Sequence, residues 1–165
     1  MDIISSMAAN KNKFDKHKRF ILILFIAYLL LLSYFLFFSE AMGRVGTEAQ
    51  YRYNLTLFRE IKRFYKYREL LGYKAFFLNV FGNVIAFIPF GMLIPKLLPR
   101  FSNWFWVTLL AFEFSLCVEV IQLCFKLGSF DVDDLLLNTI GGFIGYWVYY
   151  ILDRSGKRNV SDKKA

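Results

Sequence analysis

The chain has one histidine, His17, and two cysteines, Cys117 and Cys124, among 165 residues. That scarcity excludes the commonest transition-metal sites, which gather several His or Cys ligands. His17 stands alone among lysines and reads as a solvated tail residue. Cys117 and Cys124 are seven residues apart on one apolar run. That is about 10 Å along a helix axis, too far for a disulfide, so they read as buried thiols. No GxSxG, CxxC or HExxH pattern occurs, and no glycine loop that would cradle a phosphate. The common hydrolase, redox and nucleotide-binding signatures are therefore missing.

Apolar residues are abundant instead. The composition is 57% hydrophobic and 20% aromatic, with a mean hydropathy of +0.40. A soluble domain is less apolar, yet charge still makes up 21% of the chain. Four runs, at 20–38, 76–95, 104–125 and 135–152, are long enough to cross a hydrocarbon core, which needs roughly 17 to 25 helical residues. They predict an all-α integral membrane four-helix bundle over 20–152, between basic tails at 1–19 and 153–165. Lys16, Lys18 and Arg19 precede the first run as a signal-peptide n-region would. The run is longer than a usual signal core and no A-x-A site follows it, so it reads as a retained, lipid-facing span.

Basic residues set the expected orientation. Lys11, Lys13, Lys16, Lys18 and Arg19 lie before the first span, and Arg154, Lys157, Arg158, Lys163 and Lys164 follow the last. Lys96 and Arg100 lie in the second loop. By the positive-inside rule these three segments are cytoplasmic, with the chain in the bacterial cell membrane. The first loop is also basic, but of its bases only Arg44 and Arg52 fall within about 15 residues of the first span. Its residues 55–68 place Leu57, Phe58, Ile61, Phe64 and Tyr65 on one helical side and Arg59, Lys62, Arg63 and Lys66 on the other. This pattern predicts an interfacial helix whose bases meet anionic lipid, with a solvated helix packed on the spans as the alternative. The basic tails likewise read as attraction to a membrane surface, and no nucleic-acid partner is expected.

Polar residues inside the spans are the candidate site, because ionisable groups there are costly. Asn79 and Asn83 share a face of the second span, with Pro89 and Gly91 beyond them where the helix could kink and leave carbonyls unpaired. In the third span Glu119 and Gln122 lie on nearly one face, while Glu113 points away and is expected to pair with Lys96 or Arg100. Asp131, Asp134 and Asn138 form one stripe at the start of the fourth, with Asp133 expected to be solvated. Gly141 and Gly145 make a GxxxG face for close helix approach. Asn79, Asn83, Glu119, Gln122, Asp131, Asp134 and Asn138 are thus the candidate binding residues, and the spacing brings Asn83, Glu119, Gln122, Asp134 and Asn138 toward one pocket. The structural alternative is a neutral Glu119 bonded to Asn83 or Asn138, with the aspartates merely capping a helix.

Three segments, NVIAFIPFGMLIP at 83–95, VEVIQ at 118–122 and GSFDVDDLLLNTIGGFIG at 128–145, in this order and spacing, resemble the VanZ-like family of small bacterial membrane proteins. The resemblance covers roughly 54–152 and marks Asn83, Pro89, Gly91, Glu119, Gln122, Asp131, Asp134, Asn138, Gly141, Gly142 and Gly145. NLTLFREI at 54–61 also resembles the family's NLxPF segment, with Leu57 where that pattern has proline. The resemblance implies an envelope protein of the glycopeptide-resistance, teicoplanin-associated type.

Three function classes follow. One is a non-catalytic protein whose polar pocket binds an amphiphile or lipid headgroup, with membrane lipids and a lipid-linked wall precursor or glycopeptide antibiotic as partners. Another is an intramembrane enzyme acting on a lipid-linked phosphate, the one reading that needs a cofactor, with Mg²⁺ held by Asp131, Asp134 and Glu119. The absence of Lys and Arg from the polar interior lowers it, because phosphoryl transfer needs cations. The third is a small ion or proton conduit, weakened by the aromatic end GYWVYYIL of the last span. The orientation is directly testable in cells expressing a variant without the native thiols. A cysteine replacing Ser129 is expected to react with an impermeant maleimide and one replacing Ser161 is not, whereas the reverse pattern means an inverted protein.

Overall fold

In a computed structural model, which describes residues 2–42 and 51–162, six α-helices and two short strands are arranged as a membrane-type bundle. Arg44, Lys163 and Lys164 lie outside the described residues, as do the side chains of Lys11, Lys13, Lys157 and Arg158. The long helices are α1 (Asp2–Met42), α4 (Tyr73–Leu97), α5 (Trp104–Cys124) and α6 (Val132–Asp162). Their membrane-compatible portions are Lys16–Phe37, Phe76–Leu97, Trp104–Cys124 and Val132–Ser155. The last begins three residues earlier than hydropathy alone indicated, because Val132, Asp133 and Asp134 already form the first turn of α6. Short helices α2 (Arg59–Lys66) and α3 (Arg68–Leu71) occupy the first loop.

Helix α6 is the centre of the bundle, and glycine makes its packing possible. A Cβ on Gly141 would lie 2.2 Å from the Val84 carbonyl oxygen, and one on Gly145 would lie 2.1 Å from that of Ile88. From the other side, a Cβ on Gly91 would lie 2.0 Å from the Gly142 oxygen. The backbones of α4 and α6 therefore touch directly, as small residues allow in lipid, where apolar burial supplies little drive between helices. Gly142 faces α5 instead, where its Cβ would meet that of Ala111 at 2.3 Å. Around these contacts sits an aromatic core of Phe87, Phe90 and Tyr146 with Leu32, Ile94, Val107 and Ala111, and the ring of Phe114 stacks on Phe90 at 5.3 Å between centroids.

Two details refine the sequence reading. Helix α4 continues unbroken through Pro89 and Pro95. Tyr28 ties α1 to this stretch, its hydroxyl donating to the Ala86 carbonyl at 2.7 Å. Most of the described side chains of α1, over 16–37, do face outward, yet Ile21 and Leu32 are buried, and Phe25 and Tyr28 pack toward the core. The spacing 21, 25, 28, 32 is one helical stripe, so the first span is an anchored member of the bundle.

The first and third loops meet at one end. Strand β1 (Arg52–Asn54) pairs in parallel with β2 (Ser129–Asp131), in the register Arg52 to Ser129, Tyr53 to Phe130 and Asn54 to Asp131. Four consecutive spans put these two loops on the same side of a membrane, and their pairing requires it. Gly145→Ala is expected to lower the thermal midpoint of the detergent-solubilised protein, with an overpacking cost of about 1–3 kcal/mol. Gly82→Ala, where an added Cβ meets nothing within 4 Å, is expected to leave it unchanged. Equal midpoints for the two variants would contradict the direct α4–α6 contact.

Candidate functional site

The polar side chains collect where the first loop covers the α5–α6 end of the bundle. Asp133, expected from its helical angle to be solvated, is 1% exposed. Its carboxylate accepts hydrogen bonds from the backbone N–H groups of Phe58, of Glu60 at 2.8 Å and of Ile61 at 3.3 Å. These are the free donors at the start of α2, so a residue more than seventy positions away does the work of an N-cap. The left-handed conformation of Phe58, φ 63°, turns its own N–H into the same concavity. This turn forms although Leu57 replaces the proline of the family pattern.

A second set of bonds ties the strands to this cap. Asn54 donates from Nδ2 to Asp131 Oδ1 at 3.0 Å, and its own Oδ1 accepts from the Thr56 N–H at 3.1 Å. The Asp133 N–H donates to Asp131 Oδ1 at 2.8 Å, and the Asp131 N–H donates to Glu119 Oε2 at 2.8 Å. Glu119, 3% exposed, thus supports the β2 backbone rather than bonding Asn83 or Asn138. Lys126 adds a contact at the rim, its ammonium 4.7 Å from the Tyr51 ring centroid.

The five residues expected to line one pocket are distributed over separate interactions. Asn83 donates to Asp134 at 2.5 Å, joining α4 to α6. Asn138 donates to the Ser115 hydroxyl at 2.9 Å, joining α6 to α5. Gln122 donates to the Leu36 carbonyl at 3.1 Å and so reaches α1. All lie toward the same end of the bundle, but they act in pairs. Asn138 Oδ1 is buried without a hydrogen-bond partner among the described residues. Asn79 is half-buried and has no side-chain hydrogen bond there.

Two further expectations are corrected. Glu113 is exposed on α5 and lies within ion-pair distance of no Lys or Arg among the described residues, Lys96 and Arg100 included. Cys117 and Cys124 are exposed rather than buried, because their side of α5 faces away from α4 and α6. Asn54, Ser115 and Asp133 are the members that pattern reading passed over. Ser115 was within reach, since 115, 119 and 122 share one helical stripe.

The electrostatics of the cover are those of crowded acids. Burial pushes the Asp131 carboxyl above its ordinary range, opposed by the bonds from the Asp133 N–H and Asn54, and the neighbouring Asp133 charge pushes the same way as burial. Burial also raises Glu60, against the attraction of Arg63 at 2.9 Å. A folded-state pKa above the unfolded value means that the folded chain keeps its proton to higher pH. The associated stability is complete below the unfolded value and is lost as pH rises through the raised one.

Four apolar helices of spanning length, with a polar cluster closed by a loop at one end, define a multi-pass α-helical membrane protein. The VanZ/LLP1 family model matches residues 25–153, so the chain belongs to that family. It is similar to Protein VanZ of Enterococcus faecium, with 33% identity over 93 residues that make up 53% of this chain and 53% of that one. The match spans about half the length of each. No solved structure matches.

Removing the Asp133 acceptor is expected to loosen the cover. Asp133→Ala leaves three N–H groups without their partner, at a cost of roughly 1–3 kcal/mol in local opening. Hydrogen exchange at Phe58, Glu60 and Ile61 should rise accordingly, while exchange in α6 beyond Asn138 stays slow. In the unmodified chain, protection of these amides, corrected for intrinsic rate, should fall as pH rises above the ordinary carboxylate range. Asp131→Asn should flatten that dependence. Unchanged exchange in the alanine variant would remove Asp133 from this role.

Proposed function

We propose that this protein is a non-catalytic member of the bacterial cell envelope. In this reading it holds an amphiphile or lipid headgroup at the outer-leaflet end of its bundle and thereby alters susceptibility to teicoplanin-type glycopeptides. The termini are cytoplasmic, so the first and third loops face outward, where lipid-linked wall precursors and glycopeptides meet. The observation that carries the reading is the cover itself. Asp133 and Asp131 dock a loop that presents Leu57, Phe58, Tyr65, Tyr67 and Leu70 to the surroundings. Arg59, Lys62, Arg63 and Lys66 lie on the same segment, suited to anionic headgroups beside an apolar face. Asn138 Oδ1 offers a further acceptor deeper in the bundle.

The donor set favours binding over turnover. Each of Asp131, Asp133, Asp134 and Glu119 accepts a hydrogen bond from a named group of the chain, so the carboxylates are engaged in holding the fold. Among the described residues no group of three or more His, Cys, Asp or Glu side chains is placed to share a cation. A surface cavity of about 570 Å³ at the opposite end, lined by Lys18, Arg19, Leu22, Leu97 and Leu98, gives the inner face a basic rim in keeping with the proposed orientation.

In a susceptible host expressing the protein, Asp134→Asn, which weakens the link to Asn83, is expected to lower teicoplanin tolerance while membrane levels stay unchanged. Purified protein in nanodiscs should bind teicoplanin or a lipid-linked precursor without consuming it. Mg²⁺-dependent phosphate release from a lipid substrate, abolished by Asp134→Asn, would replace this reading with that of an intramembrane hydrolase or transferase.

A further inference from the structure

The polar cluster leaves out Glu113. It lies nine residues from Trp104 and eleven from Cys124 within α5, about 13 and 16 Å along the axis, and so at the middle of the membrane. The buried side of α5 carries Val107, Ala111, Ser115, Val118, Glu119 and Gln122. Glu113 is two residues from Ser115, about 200° around the helix, and therefore points away from α4 and α6. Intramembrane carboxyl groups almost always face a bundle interior or a water-filled cavity, because hydrocarbon offers them no partner. Here the group faces outward at the depth where that is most costly.

Glu113 is part of an exposed seam. Glu113, Cys117, Val120 and Cys124 are all exposed, and their spacing of four, three and four is that of a helix-pairing heptad. The cysteines are short, which lets another helix approach as small residues do in lipid. Identical chains inserted in the same orientation bring this seam to the same depth. Across a twofold axis each Glu113 then meets the other, since an isologous contact places the same patch on both sides. A protonated carboxyl carries one O–H donor and an acceptor, so two of them satisfy each other without a buried charge. The bases of the described spans, Lys16, Lys18, Arg19, Lys96 and Arg154, lie near span ends, so a second copy offers a carboxyl rather than a cation at this depth.

We propose that the Glu113, Cys117, Val120 and Cys124 face of α5 is a homodimer interface within the membrane, closed by a hydrogen-bonded pair of Glu113 carboxyls. Glu119 and Gln122 face the other way, so dimerisation leaves the covered polar end of each copy unobstructed. The interface stands on its own observations and is independent of the ligand reading above.

The native thiols make the test direct. In membrane vesicles holding the full chain, oxidation with copper phenanthroline is expected to give a dimer through the exposed thiols, reduced by Cys117→Ser or Cys124→Ser alone and absent when both are replaced. A control with Ile144→Cys in a Cys117→Ser, Cys124→Ser background, on the outward side of α6, should cross-link far less. Energy transfer between labelled chains in liposomes, followed as lipid dilutes the protein, should show association weakened roughly 3- to 30-fold by Glu113→Leu. Glu113→Gln should keep it, because an amide also donates and accepts. The proposal is overturned if the control cross-links as strongly as Cys117 or if Glu113→Leu associates as well as the unmodified chain. It is equally overturned if Cys117 links chiefly to a protein of different mass, which would make the seam a heteromeric contact.

Discussion

The carboxylate of Asp133, accepting the N–H groups at the start of α2, is the interaction on which the loop-covered end of the molecule depends. Helix α2 has eight residues and buries none of them, so apolar packing alone does not hold it in place. Isolated helices of this length are marginal in water. Its position comes from the Asp133 cap, the Asn54–Asp131 bond and three residues of parallel strand. Acidic side chains that would be a liability at the mouth of a membrane helix are here paired with backbone donors. Their cost is thereby offset, and the first loop is fixed over the polar ends of α5 and α6.

That arrangement relies on the glycines of α6. Because Gly141 and Gly145 let α4 lie directly on α6, Asn83 comes within reach of Asp134. Because Gly142 admits Ala111, α5 also approaches closely, and Ser115 meets Asn138. Interhelical polar bonds in lipid contribute little each, about 0.6 kcal/mol on average. Their value lies in register: each bond is made only when the helices sit at one rotation and depth. Backbone contact sets the distance, and the paired amides and carboxylates set the alignment.

Much of this was legible in the chain. Hydropathy located the four spans, and the glycine spacing identified the close face of α6. Periodicity also placed Glu119 and Asn138 on inward stripes, and both are buried. Contacts made across long separations were not legible. Asp133 looked solvated because a helical wheel represents only its own helix, whereas its partners lie 72 to 75 residues earlier. Gln122 likewise finds the Leu36 carbonyl 86 residues away. The single pocket inferred from spacing divided into pairs for a related reason: periodicity says which residues face inward, but not which neighbour each one meets. Glu113 and the cysteines were misjudged because residue type suggested pairing or burial, and only the packing order of α4, α5 and α6 reveals which side of α5 remains outside.

The central claim is that the first loop is docked on the start of α6 in the membrane-embedded protein. Its most direct test is disulfide formation between thiols introduced by Tyr53→Cys and Phe130→Cys, which replace residues paired across the two strands, in a Cys117→Ser, Cys124→Ser background. The account expects a rapid intramolecular disulfide in native membranes, slowed when Asp133→Ala is added. Free alkylation of both thiols under the same oxidation, with no internal bond formed, would contradict it.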